Sequence, residues 1–116
     1  MYILGKLPEE ITTKLDEIVS KKHTVKANYD LAGNIKKEFM IPDAKPYVWP
    51  MLDALIKEWK DRYPHDFAYI GSMSNAKEFK LRLFNTWVNF QEKYEFNPIH
   101  THDGIFSFVI WHKVPF

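Results

Sequence analysis

The spacing of apolar residues predicts two amphipathic helices in the first half of the chain. In Pro8–Lys22, apolar side chains recur every three or four residues, with acids at the start and lysines at the end, as the helix dipole favours. In Pro50–Arg62, an apolar stripe alternates with charged positions, and Pro64 is expected to end the helix. The apolar positions are Ile11, Leu15, Ile18 and Val19 in the first helix and Met51, Leu52, Leu55, Ile56 and Trp59 in the second.

Strand-like patterns dominate the second half of the chain. Phe67–Ile70 is a short apolar run, and aromatic and branched residues alternate with other residues between positions 79 and 90. Ile105–Trp111 is apolar at every position except Ser107, so we expect a strand that is buried on both faces. Helices followed by strands indicate an α+β fold.

Composition limits the class of protein. The 116 residues suffice for one domain, with a helical half at about 1–66 and a β-rich half at about 67–116. An apolar content of 46% can fill a core, and a net charge of +1 offers no concentrated basic face for nucleic acid. The absence of cysteine excludes disulfides and thiol catalysis. No apolar run approaches the roughly 20 residues of a membrane span, so a cytoplasmic protein is expected.

The pair His100 and His102 is the strongest candidate for chemistry. Side chains two residues apart in an extended segment project to the same side, so both imidazoles could bind one metal ion. Asp103 follows at once and offers a carboxylate. Two imidazoles and a carboxylate form the facial triad of non-haem Fe(II) oxygenases. In the alternative interpretation, one histidine caps a turn and the other is simply exposed to solvent.

Three segments around this pair share the pattern of a known family. They are Asn85-Thr86-Trp87-Val88-Asn89, then Asn97-Pro98-Ile99-His100-Thr101-His102, then Ser107-Phe108-Val109-Ile110-Trp111 with Pro115 closing. In this pattern the chain resembles the Fe(II)/2-oxoglutarate-dependent oxygenase superfamily, and more narrowly a branch often found in phage genomes. Leu31–Ile35 is similar to an N-terminal signature of the same branch.

The resemblance implies a fold and a reaction class. The fold would be a double-stranded β-helix, or jelly roll, with the N-terminal helices packed on one sheet. The protein would bind Fe(II) as cofactor and 2-oxoglutarate as co-substrate, and it would use oxygen to hydroxylate a substrate that the sequence does not identify. In such an enzyme the protein holds the metal, leaves coordination positions open and excludes water. If the chain is phage-encoded, it would act in the host cytoplasm.

The resemblance also assigns roles to individual residues. His100 matches the first histidine ligand, and His102 stands where most of the superfamily has Asp or Glu. We favour His102 as the second ligand, with Asp103 as the lesser candidate. Trp87, Asn89 and Ser107 match positions that line the co-substrate pocket. For Trp87 and Ser107, ordinary packing in the core is the alternative role.

The family has later strands that this sequence does not contain. In the family they carry a distal His ligand and the Arg or Lys that pairs with 2-oxoglutarate, so we expect an incomplete jelly roll from the N-terminal part of a longer protein or from a truncated one. Exposed strand edges would then allow self-association. Two alternatives are a non-catalytic jelly-roll module for interaction or structure and a cupin-like metal-binding protein. The other imidazoles are those of His23, His65 and His112.

Overall fold

The computed structural model describes residues 2–28, 31, 33–73 and 80–114. These residues form an α+β arrangement of helices and a two-stranded antiparallel sheet. Phe79 of the predicted β-rich stretch, and Ala32 and Pro115 of the family-like segments, lie outside the described residues. The elements are α1 (Glu9–Ser20), β1 (Glu38–Met40), a 3-10 turn (Pro42–Ala44), α2 (Lys45–Arg62), α3 (Pro64–Met73) and β2 (Trp87–Asn89).

The two predicted helices are confirmed with different bounds; α1 ends at Ser20, so the lysines predicted for its last turn lie beyond it. α1 follows Pro8, and its first turn carries Glu9 and Glu10, which complement the positive end of the helix dipole. α2 begins five residues earlier than expected, so Pro50 lies inside the helix. Because proline has no backbone N–H, α2 lacks the hydrogen bond that residue 50 would have donated to the carbonyl of Pro46.

The strand predicted at Phe67–Ile70 is wrong, because these residues belong to α3. Pro64 was expected to end the helical region, but it is the first residue of α3. Proline fits there because the first position of a helix needs no N–H donor. Phe67 donates its backbone N–H to the carbonyl of Tyr63 at 3.1 Å. The ring centroids of Tyr63 and Phe67 lie 5.5 and 6.5 Å from that of Trp59, so one aromatic stripe at four-residue spacing runs from α2 into α3.

The sheet pairs β1 with β2 in an antiparallel register. Glu38 lies opposite Asn89, and Met40 lies opposite Trp87. On the other edge of β1, the N–H of Met40 donates to the carbonyl of Val25 at 2.9 Å. These strands are compatible with an α+β fold, but they are too few to test the jelly roll, which stays a prediction.

The core lies between α1, α2 and this sheet. Its buried side chains come from both helices and from the turn that precedes α2, and Val88 of β2 packs against them. Ile110 packs against the same cluster from the C-terminal segment. The sheet is therefore held against the helices through its Val88 face. The buried members of the cluster are Leu15, Ile18, Ile41, Ala44, Val48 and Leu52.

The prediction that Ile105–Trp111 is a strand buried on both faces is wrong. The segment has no regular secondary structure, and Val109 and Trp111 are 71% and 78% exposed. Phe106 and Ile110 are half-buried, and the Phe106 ring meets that of Trp59 edge-on at 5.1 Å. The predicted alternation of side chains between two faces was correct. Among the described residues, however, only the face that carries Phe106 and Ile110 packs against the rest of the protein.

Candidate metal centre

The His-x-His pair lies in an exposed connection between the bridge of Asn34 to Phe96 and the turn at Gly104. At its start, the N–H of Asn34 donates to the carbonyl of Phe96 at 2.8 Å. At its end, Gly104 has a φ of 97°, a conformation that glycine adopts without steric cost. The side chains between these points are exposed to solvent. The connection therefore presents its polar groups outward.

The imidazoles of His100 and His102 face each other closely. Their Nε2 atoms lie 3.0 Å apart, and their ring centroids lie 4.6 Å apart. The Nδ1 of His100 lies 2.6 Å from the carbonyl oxygen of Pro98, which can only accept a hydrogen bond. The proton of neutral His100 is therefore on Nδ1, and its Nε2 carries the free lone pair. Without a metal, His102 donates its Nε2–H to that lone pair.

This geometry fits two neighbouring ligands of one metal ion. Metal–nitrogen bonds of about 2.1 Å at an angle of about 90° place two ligating nitrogens about 3.0 Å apart. The observed Nε2 separation has that value. A carbonyl that accepts from the other ring nitrogen is also the usual support of a metal-binding histidine. For both Nε2 atoms to bind a metal ion, the proton of His102 would have to be on Nδ1.

A complete set of three protein ligands is not assembled in the described part of the chain. No group of three or more His, Cys, Asp or Glu side chains there is arranged to hold a metal ion. Asp103 is exposed and adjacent in sequence, but it does not complete such a group with the two histidines. His100 and His102 are thus brought together, and the role of Asp103 stays a prediction.

The remaining histidines have other surroundings. The Nε2 of His23 lies 3.2 Å from the carbonyl of Val19 at the end of α1, where an imidazole suits the helix dipole. The Nε2 of His112 lies 2.8 Å from Oδ1 of Asp16. His65 is exposed in α3. Within the described residues, none of them joins a three-ligand group with the pair.

The predicted co-substrate residues lie in two parts of the chain. Trp87 and Asn89 are half-buried in β2 and share one of its faces, because they are two residues apart. Ser107 is exposed in the extended C-terminal segment. Their participation in binding 2-oxoglutarate stays a prediction.

Sequence reasoning missed one functional candidate, Glu38. Its side chain is 1% exposed, and its Oε2 accepts a hydrogen bond of 3.2 Å from Nδ2 of Asn28. Burial, assisted by the negative charge of Glu95, raises the pKa of Glu38 above its ordinary value. The detectable signal was one acid at the start of the apolar run Phe39-Met40-Ile41.

Comparisons with known proteins found no relative of this chain. No protein-family model, curated protein or solved structure matches the chain. Among the described helices, none is long and apolar enough to cross a membrane. The functional interpretation therefore depends on the residues and their geometry.

Proposed function

We propose that this chain is an Fe(II)- and 2-oxoglutarate-dependent oxygenase, or the N-terminal part of one. The observation that carries the proposal is the 3.0 Å separation of the two Nε2 atoms, with Nδ1 of His100 held by the carbonyl of Pro98. The same two histidines stand at the ligand positions that the family resemblance implies. The distance between the two rings and the sequence pattern thus support the same pair of ligands.

In this proposal each residue has a limited task. His100 and His102 bind the metal through Nε2, and the Pro98 carbonyl orients the His100 ring. Asp103 is the candidate carboxylate ligand, and Trp87, Asn89 and Ser107 line the co-substrate pocket. When bound, Fe(II) acts as a Lewis acid and supplies the redox chemistry with oxygen.

The exchange of a carboxylate for His102 has an electrostatic consequence. Two neutral imidazoles leave the charge of the divalent ion unchanged, and the carboxylate of Asp103 would remove one unit of it. The dianion 2-oxoglutarate would neutralise the charge that remains. We therefore expect the co-substrate to bind more tightly with the metal present than without it.

The test measures binding of 2-oxoglutarate, because binding does not require the unidentified substrate. Under anaerobic conditions, calorimetry of the full chain with Fe(II) should show 2-oxoglutarate binding. Removal of Fe(II) with a chelator should weaken that binding roughly tenfold or more. His100→Ala and His102→Ala should have the same effect. His65→Ala is the matched control, since His65 is exposed on α3, and it should bind as the wild type does.

The competing functions give different results in the same experiment. A cupin-like protein would bind Fe(II) through the two histidines without binding 2-oxoglutarate. A non-catalytic module would bind neither, and the histidine variants would behave as the wild type does. Either result overturns the oxygenase proposal. Oxygen-dependent formation of succinate from 2-oxoglutarate, lost in His100→Ala, is the corresponding activity expected of the enzyme.

A further inference from the structure

A second group of polar side chains surrounds the buried Glu38, and it does not include the two histidines. Glu38 is the first residue of β1 and is almost fully buried, with 1% of its surface exposed. Amide side chains approach it from three other segments of the chain. We call this group the Glu38 cluster; its members are Glu38, Asn28, Asn89 and Asn97.

Asn28 points its amide nitrogen at Glu38 and leaves its oxygen without a donor. Its Nδ2 donates to the carbonyl of Ile35 at 2.7 Å and to Oε2 of Glu38 at 3.2 Å. Both N–H groups of the amide are therefore used. The Oδ1 of Asn28 is buried and accepts no hydrogen bond from the described residues.

Asn89 adds a second amide oxygen from the neighbouring strand. It lies opposite Glu38 in the antiparallel register, so the two side chains emerge on the same face of the sheet. Its Oδ1 and the Oε1 of Glu38 are both buried, and no donor among the described residues reaches either atom. Both side chains thus offer acceptors, and neither satisfies the other.

Oδ1 of Asn97 and Oε1 of Glu38 both lie beside Gly33. A Cβ atom placed on Gly33 would lie 2.9 Å from Oε1 of Glu38 and closer still to Oδ1 of Asn97. Both oxygens therefore crowd the side of Gly33 where a larger residue would carry its side chain. Gly33 permits this approach because it has no Cβ atom.

The cluster leaves three buried oxygens without a donor among the described residues, namely Oε1 of Glu38 and the Oδ1 atoms of Asn28 and Asn89. A buried acceptor without a partner costs on the order of 1–3 kcal/mol. The partner that suits several such oxygens at once is a hard cation, which binds carboxylate and amide oxygens together. Glu95 acts on Glu38 electrostatically, but its own carboxylate accepts hydrogen bonds from the backbone N–H groups of Lys36 and Glu92, so we do not count it as a ligand.

We infer that the Glu38 cluster is a calcium-binding site, with ligands from Oε1 of Glu38 and the amide oxygens of Asn28, Asn89 and Asn97. Calcium fits better than magnesium, because ligands from four separate segments suit its flexible coordination, whereas magnesium requires a near-ideal octahedron. The site differs in chemistry from the histidine pair, whose nitrogen ligands suit transition metals.

The test is calcium titration of the full chain by calorimetry and by thermal unfolding. Calcium should bind and raise the unfolding temperature of the wild type. Glu38→Gln keeps the shape of the side chain and removes the charge, so it should weaken calcium binding roughly tenfold or more. Glu92→Gln is the matched control, because Glu92 is an exposed acid that pairs with Lys37, and it should bind calcium as the wild type does.

Two further variants keep the result interpretable. Asn97→Ala changes an exposed residue and should weaken calcium binding even if Glu38→Gln does not fold. His100→Ala should leave calcium binding unchanged. Asn89 belongs to both proposals, but no variant of the calcium test changes it, so the two proposals are tested separately. Absence of calcium binding by the wild type would overturn the inference. Equal calcium affinity of the wild type and of Glu38→Gln or Asn97→Ala would also overturn it. That result is expected if a proton or a water molecule satisfies the buried oxygens.

Discussion

Thr86 and Ile41 bind each other through two hydrogen bonds. The hydroxyl of Thr86 donates to the carbonyl of Ile41 at 2.8 Å, and the N–H of Ile41 donates to the carbonyl of Thr86 at 2.9 Å. Both residues are buried and lie just beyond the paired strands. They connect the end of the sheet to the turn that begins α2.

Loss of the Thr86 hydroxyl should cost about 1 kcal/mol of unfolding free energy. In Thr86→Val the carbonyl of Ile41 still accepts from the N–H of Ala44 at 3.0 Å, so no buried group is left without a partner. Urea denaturation measures the difference. Thr13→Val, an exposed change of the same chemistry in α1, should be close to neutral. Equal effects of the two variants would contradict the role of the Thr86 bond.

The core should respond strongly to loss of a leucine. Leu15 is 4% exposed on the inner face of α1, so Leu15→Ala should lower the unfolding free energy by about 3 kcal/mol through lost burial and a new cavity. Leu4 is 82% exposed, and Leu4→Ala should change stability by less than about 0.5 kcal/mol. Comparable losses in both variants, measured by chemical denaturation, would place the core elsewhere.

Gly33 should lose stability when a side chain is added, because the buried Glu38 carboxylate beside it has little room to move. Gly33→Ala brings a Cβ atom against oxygens of Asn97 and Glu38, and we expect a loss of about 1–3 kcal/mol. In Gly5→Ala the new atom would meet only the flexible end of Leu55 at 3.0 Å, so a smaller loss is expected. Thermal unfolding of the two variants compares the losses and so tests whether the Asn97 and Glu38 oxygens lie close to Gly33. A larger loss of stability in Gly5→Ala than in Gly33→Ala would contradict that geometry.

Glu38 should make stability depend on pH when calcium is chelated. Because its folded-state pKa is raised, ionisation costs more in the folded than in the unfolded chain. Its contribution to stability is therefore complete below the ordinary value of 4.5 and is lost as pH rises through the folded-state pKa. Glu38→Gln should match the wild type at low pH and exceed it in stability at neutral pH. A lower stability of Glu38→Gln than of the wild type at neutral pH would contradict the burial of an acid without a neighbouring positive charge.

Local patterns predicted the helices well and the β-rich half poorly. The stripe around Leu15 and Leu52 depends on neighbours within one helix, so its period is visible in the sequence. Phe67–Ile70 has no such clear period by itself. Its helix becomes visible only when Trp59 and Tyr63 are included, at eight and four residues before Phe67.

Long-range contacts explain what sequence could not predict about the candidate sites. The spacing of His100 and His102 already placed both rings on one side, and the Pro98 carbonyl lies within two residues of His100. The Glu38 cluster instead joins segments up to 69 residues apart, from Asn28 to Asn97. Three of its members are ordinary surface-type amides, so only the fold reveals that they meet a buried acid.

Nitrogen NMR of the histidine rings tests the central claim most directly. The full chain is titrated with Zn(II), a diamagnetic substitute for Fe(II), and the Nε2 resonances of His100 and His102 are followed. We expect both resonances to shift together and to reach their end point at one metal ion per chain, while those of His65 stay in place. A shift of only one ring, or no shift at either, would contradict a metal ion shared by the two imidazoles.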